Sequence, residues 1–439
     1  MEERTKISIR GQQLEPDQPP SQPTAARRLV GVPHPLRGLP PSTLASPVRS
    51  LYVHVPFCFH KCHYCDFYSL VDTRDRQAGF VERLEHELSV QATLTLGQPL
   101  RTIFFGGGTP SLLRVDLWKR LLAFLNAAFD MSAIHRGMGE FTVECNPETV
   151  TPELMATLRA GGVDRVSLGA QSFNPAHLKT LERWHDPANV ARAIALARDA
   201  GIARQSIDLI FGIPGQKLAD WTSDLEHAIA LQTEHLSCYN LTYEPNTAMT
   251  ARLKRGEFDA ADEDVEVDMY ETTLRLLRRA GMERYEVSNY AKPGAESQHN
   301  LAYWRQEQWL AAGPSASGHV AGHRWKNVPR LDDYLAINAA DIATHWSQVV
   351  DHEPPDAKRA LAERLMTGVR LREGVDPVEM LARAESLGAG RAKSLADAWN
   401  KVVLDGLAAS TPAARWALND AGILIADAIA GRLMAALDD

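Results

Sequence analysis

The sequence predicts an α/β protein, a partial, open (βα)6 barrel followed by a small, mainly helical C-terminal domain. Three observations carry this. Six short apolar runs alternate with longer helical patterns between residues 51 and 280. Parallel strands need such crossover connections, and six units are too few for a closed eightfold barrel. Each run ends in polar or glycine-rich residues, where barrel-type folds build their ligand sites. Beyond Trp346 the composition shifts to helical stripes.

Size and charge bound the rest. At 439 residues the chain can bury a substantial core, and 45% hydrophobic with 23% charged residues is the composition of a soluble globular protein. A net charge of −8 argues against a nucleic-acid partner. Five cysteines, three of them clustered, do not form a disulfide scaffold, and reduced thiols point to the cytoplasm. The first ten residues lack an apolar signal core, and no apolar run reaches membrane-spanning length. Peripheral membrane contact and homodimer formation are left open.

Residues 1–48 carry nine of the 25 prolines, from Pro16 to Pro47, and read as a flexible extension without chemistry. Residues 49–290 hold the barrel core. Its runs are 51–55, 101–105, 141–145, 163–168, 206–210 and 236–240, with helices expected near 77–96, 115–129, 187–200, 218–231 and 262–280. A further helix starts at Thr151-Pro152-Glu153, where threonine caps and proline takes the first turn. Residues 291–345 complete the core. Residues 346–439 form the helical domain, with an apolar stripe at Ala360, Leu361, Leu365, Met366 and Val369 and turns at Leu404–Leu407 and Asp420–Ile423.

The chemistry gathers after the strands. Cys58, Cys62 and Cys65 are spaced C-x3-C-x2-C directly after the first run. Three thiolates suit a four-iron cluster with one iron open to a small molecule. Zinc completed by His60 or His63 fits the same spacing. Gly106-Gly107-Gly108-Thr109-Pro110 ends the second run, and its backbone can approach a ligand closely. Glu144, between Val143 and Cys145, offers a partly enclosed carboxylate for a ribose or an ammonium group. Gln171, Asp208 and the Asn240–Tyr243 segment end the later runs, so all should face one cavity with the cysteine loop. Gly212–Gln216 reads as a structural turn.

The cysteine spacing, with Tyr52-Val53-His54-Val55-Pro56-Phe57 before it, resembles the radical S-adenosylmethionine (SAM) superfamily. The resemblance implies a [4Fe-4S] cluster whose open iron is chelated by SAM, and Gly107, Gly108 and Thr109 match the motif that holds the SAM amino group. When reduced, such a cluster cleaves SAM to a 5′-deoxyadenosyl radical.

Ser167–Phe173 and Ile207–Gly212 narrow the resemblance to oxygen-independent coproporphyrinogen III dehydrogenase (HemN-like) proteins, from about residue 50 onward. By position Tyr52, Tyr64, Gly107, Gly108, Thr109 and Glu144 match contacts to SAM there. Gln171, Arg183 and Asp208 match contacts to a further SAM, and Thr242 and Ser317 match loosely. Phe67 stands where that enzyme pattern has a fourth cysteine. In this the chain is similar to the HemW branch, the radical SAM haem chaperones.

His299-Asn300-Leu301-Ala302-Tyr303-Trp304 fits the H-N-x-x-Y-W pattern of that branch. Imidazole can ligate haem iron, and Tyr and Trp offer flat apolar surface. The competing reading is a structural loop whose aromatics pack on the barrel. His319 and His323 are fallback ligands, read as loop residues. The resemblance implies a protein that binds haem, a [4Fe-4S] cluster and SAM and passes haem to acceptors such as respiratory enzymes. It also implies a small winged-helix-like C-terminal domain. The rival is the decarboxylating dehydrogenase itself, against which Phe67 and residues 299–304 argue. No catalytic residue is assigned.

Overall fold

The computed structural model describes residues 47–411 and 414–438. The proline-rich extension lies outside these residues except for Pro47 and Val48, and Val48 is fully buried.

Six parallel strands form the centre: β1 (Ser50–Val55), β2 (Thr102–Gly107), β3 (Glu140–Cys145), β4 (Arg165–Gln171), β5 (Arg204–Phe211) and β6 (His235–Asn240). Leu51, Val53, Val55, Ile103, Phe105, Phe141 and Val143 are fully buried on this sheet. A parallel strand covered on both faces reads as a nearly unbroken apolar run, which is why these six were legible. The helices Gln77–Ala92, Val115–Ala128, Pro152–Ala160, Ala188–Asp199, Leu218–Ala230 and Glu263–Arg279 lie close to the expected bounds. Thr151 caps its helix as expected, accepting from the Leu154 N–H at 3.2 Å.

The sheet extends beyond the six. Beyond β6, β8 (Asn289–Ala291) adds antiparallel and β7 (Glu283–Arg284) pairs antiparallel with β8 at the edge, while β9 (Trp309–Ala312) pairs parallel with β1. β10 (Ser317–Val320), β11 (His323–Asn327) and β12 (Val349–Glu353) then continue outward as antiparallel strands. The result is one twelve-stranded sheet. It runs past residue 346, where the composition changes. His319 and His323 therefore sit on paired strands and not in loops.

One buried carboxylate fastens this extension to the barrel. Glu87, on the helix Gln77–Ala92, accepts from Gln91 Nε2 (2.9 Å), the Gly313 N–H (2.9 Å), Asn327 Nδ2 (2.7 Å) and the Tyr334 hydroxyl (2.7 Å). Removing the acceptor strands four buried donors, so Glu87→Ala should cost about 2–4 kcal/mol, read as a lower denaturant midpoint. Burial pushes the Glu87 carboxyl up to about 7. The folded protein thus holds a proton that the unfolded chain has lost. This contribution weakens as pH rises from the ordinary carboxyl range toward 7.

Beyond the sheet come the helices Ala357–Gly368, Pro377–Leu387, Arg391–Leu404, Asp420–Leu424 and Ala426–Ala435. The first buries Leu361 and Leu365, followed by Val369, but leaves Ala360 exposed and Met366 half-buried. Asp420–Leu424 is a helix and not the expected turn, because the Asn419 side chain accepts from the Gly422 N–H at 2.8 Å and starts it. Isolated bridges join Val375 to Trp416 and Ala408 to Leu418. No helix among the described residues is long and apolar enough to cross a membrane.

Candidate cluster and cofactor site

The C-terminal ends of the strands surround a cavity of about 510 Å³. The loop after β1 brings Cys58, Cys62 and Cys65 to it, together with Tyr64. The loop is tied at both ends: Cys58 N–H donates to Leu70 O (2.9 Å) and His63 N–H to Leu181 O (3.3 Å). The Thr109 hydroxyl lies 3.5 Å from Cys58 Sγ and Arg183 Nη1 3.8 Å from Cys62 Sγ. Donors of this kind stabilise sulfur that carries negative charge. Burial pushes the Cys58 thiol up, and Cys65 up to about 11, so both are protonated until a metal takes them.

The donor set discriminates between metals. Among the described residues no three His, Cys, Asp or Glu side chains converge on a point that one ion could occupy. Of the two histidines in the loop, His63 accepts at Nδ1 from Arg252 at 3.2 Å, while His60 stacks on Trp184 at 4.4 Å and keeps a buried Nε2 without a hydrogen-bond partner among the described residues. A [4Fe-4S] cluster gives each thiolate an iron of its own, so three separate sulfurs at a cavity mouth fit it.

The glycine-rich turn requires glycine for a stated reason. Gly107 has φ +102°, and a Cβ there would lie 2.3 Å from the His54 ring. His54 cannot yield, because Nε2 donates to Tyr68 O (2.7 Å) and Nδ1 accepts from the Tyr52 hydroxyl (3.1 Å). Tyr52 thus lies beneath the cavity, stacked on Phe104, and braces the turn. A Cβ on Gly108 would meet Phe57 O at 2.7 Å.

Acidic groups face this turn. Glu144 on β3 accepts from the Gly107 N–H at 3.1 Å. Burial first, and then the nearby Asp208, push its carboxyl up to about 8. Asp208 on β5 is held by the hydroxyls of Ser167 (3.0 Å) and Ser237 (2.6 Å), and burial raises it too. Gln171 sits at a bulge of β4 with φ +63°, a left-handed conformation held at the cavity rim. Beside it Arg183 donates to Gly169 O at 2.9 Å. Thr242 lines the same cavity, whereas Ser317 lies exposed on β10 and does not.

Residues 299–304 lie at the opposite end. They form the helix Gln298–Trp304, capped by Ser297. Its start rests on Glu140, which accepts from Ser297 Oγ (3.1 Å), Gln298 N–H (3.0 Å) and His299 N–H (3.1 Å) and pairs with Arg204 (3.2 Å). Glu140 begins β3, five residues before the strand end that carries the cofactor cavity. His299 is only 2% exposed; its Nδ1 shares a hydrogen bond with Thr102 Oγ1 (2.9 Å), and its ring stacks on Phe104 and meets Tyr303 edge-on. Burial brings its pKa down to about 4, so the ring is neutral. Asn300 and Trp304 instead line a second cavity.

The model of the Radical SAM superfamily matches residues 52–228. A heme chaperone HemW of Lactococcus lactis is 36% identical over 327 residues, covering 74% of this chain and 83% of that protein. A heme chaperone HemW of Mycobacterium tuberculosis is 36% identical over 390 residues, covering 88% and 94%. The chain belongs to the HemW family of radical SAM proteins. The coproporphyrinogen III oxidase HemN of Escherichia coli superposes with a TM-score of 0.74 at 20% identity, covering 89% of this chain and 92% of that one, which shows the fold.

In this HemW-family chain Phe67 stands 62% exposed at the cavity mouth. Sequence reasoning missed Ser167 and Ser237, the clamp on Asp208. It also missed Tyr239, which lines both cavities. The alternation of inward positions along β4 and β6 carried the signal, since Ser237 sits opposite Asp208 in the register and Ser167 lies two residues before its other partner, Gly169, on the same face.

Proposed function

We propose that this chain binds a [4Fe-4S] cluster, SAM and haem and hands the haem to acceptor proteins such as respiratory enzymes, as a haem chaperone. The observation that carries it is the convergence of Cys58, Cys62, Cys65, Gly107, Gly108, Thr109 and Glu144 on one cavity, in a chain similar to heme chaperones over most of its length. The three thiolates would hold the cluster, with Arg183 and Thr109 offsetting their charge. A bound, reduced cluster supplies low-potential one-electron chemistry to the SAM sulfonium. The open backbone at Gly107 and Gly108 and the carboxylate of Glu144 would receive the amino and ribose groups of SAM. Tyr64, Gln171, Arg183, Asp208 and Thr242 would close the rest of the cavity round SAM, with Tyr52 bracing it from below.

Glu144 makes this testable by protons. Its carboxyl, pushed up to about 8 when nothing is bound, becomes an anion against a cationic ligand. SAM binding at pH 7 should therefore release up to about one proton, and affinity should rise as pH approaches 8. Calorimetry in two buffers of different ionisation heat reads this, and Glu144→Gln should remove the release.

The functional reading is tested with anaerobically reconstituted protein given coproporphyrinogen III and SAM. No protoporphyrinogen is expected, together with retention of added haem. Robust protoporphyrinogen formation overturns the reading in favour of the dehydrogenase.

A further inference from the structure

The second cavity, about 1190 Å³, lies between the barrel edge at β6 and the C-terminal helices. It somewhat exceeds the usual small-molecule site, which runs to about 1,000 Å³, and so has room for a large ligand. Trp304 and Tyr239 present aromatic surface to it, and Ile423 and Leu424 add apolar wall from the C-terminal helices. Arg370 and Arg432 bring two guanidinium groups. Arg370 is paired with Asp427 and Arg432 with Asp405, and both acidic partners are more than half exposed. A guanidinium so paired can exchange a solvated carboxylate for one on a ligand at little cost.

We infer that this second cavity is the haem seat. The inference rests on the haem-binding reading above and assigns that reading a place. Haem is a flat apolar macrocycle carrying two propionate carboxylates. Aromatic and aliphatic walls take its faces, and two guanidiniums take the carboxylates as bidentate partners. Glu286, the remaining acidic group in the wall, is 1% exposed; its Oε1 accepts from Asn289 and the Ser288 N–H, and its Oε2 has no partner among the described residues. Burial pushes its carboxyl up toward the neutral acid, which lessens repulsion of a propionate. Trp304 and Asn300 come from the helix that also carries His299, but His299 contributes no wall. Tyr239 and Asn240 line both this seat and the cluster cavity and stand between them.

Gly431 gives a clean test. It lies on the helix Ala426–Ala435 and lines the cavity, and a Cβ there meets nothing within 4 Å. Gly431→Phe would fill the space without disturbing the backbone, and Gly431→Ala would leave it open. Haemin titration of the full-length reconstituted protein should show affinity at least about tenfold weaker for Gly431→Phe, weaker also for Arg432→Ala, and unchanged for Gly431→Ala. Iron–sulfur content and SAM binding should be unchanged in all three. If both Gly431→Phe and Arg432→Ala bind haemin like the parent protein, the seat is elsewhere while haem binding itself stands. If the parent protein binds no haemin, the functional reading fails, and this inference with it.

Discussion

Replacing Cys65 by serine is expected to abolish the iron–sulfur cluster and SAM binding with it. Three thiolates from one loop carry the cluster, and among the described residues no three His, Cys, Asp or Glu side chains converge on a single-ion site that could take its place. A hydroxyl is a far poorer ligand for iron, so the loss should be nearly complete and not graded. Cys58→Ser and Cys62→Ser should behave alike. The two other cysteines provide the control: both are buried and outside the loop, Cys238 away from the cluster cavity and Cys145 at its wall with Sγ directed to Val143 O at 3.7 Å. Their serine variants should keep iron and sulfide and lose only packing energy, about 1–2 kcal/mol. Iron and sulfide counts on anaerobically rebuilt protein read the difference. Full cluster content in Cys65→Ser would contradict the assignment.

Gly107→Val is the second large effect. The position combines a left-handed φ of +102° with a would-be Cβ 2.3 Å from an imidazole pinned on both sides. Strain and overpacking each cost about 1–3 kcal/mol, which together is a large share of a stability of about 5–15 kcal/mol. The turn also holds Glu144 through the Gly107 N–H, so SAM affinity should fall together with the denaturant midpoint. Gly97→Ala separates the two contributions. It has φ +70° and open space around its Cβ, and should cost only backbone strain, about 1 kcal/mol. Equal losses at Gly97 and Gly107 would show that the contact with His54 does not matter.

What was legible in the sequence follows from which forces act locally. The six central strands announced themselves because burial on both faces makes each an apolar run. The cysteine loop, the glycine turn and Glu144 were legible because they sit at fixed offsets from those runs. β7 to β12 were not. They are two to five residues long, and β11, His323–Asn327, reads as polar sequence because its partners, and not its composition, make it a strand.

Residues 299–304 show the same limit. The competing structural reading of that segment took it as a loop, but a cap from Ser297 and a carboxylate 159 residues earlier make it a helix. The second cavity was invisible for a related reason. Its walls come from Phe211 to Arg432, segments that no motif connects.

The most direct measurement is haemin titration of anaerobically reconstituted full-length protein, with iron and sulfide counted on the same sample before haemin is added and SAM present or absent. The account expects about four irons and four sulfides per chain, and then stoichiometric haem with a defined Soret band. A preparation that holds zinc, or iron without sulfide, or that fails to retain haem while its cluster is intact, would contradict it.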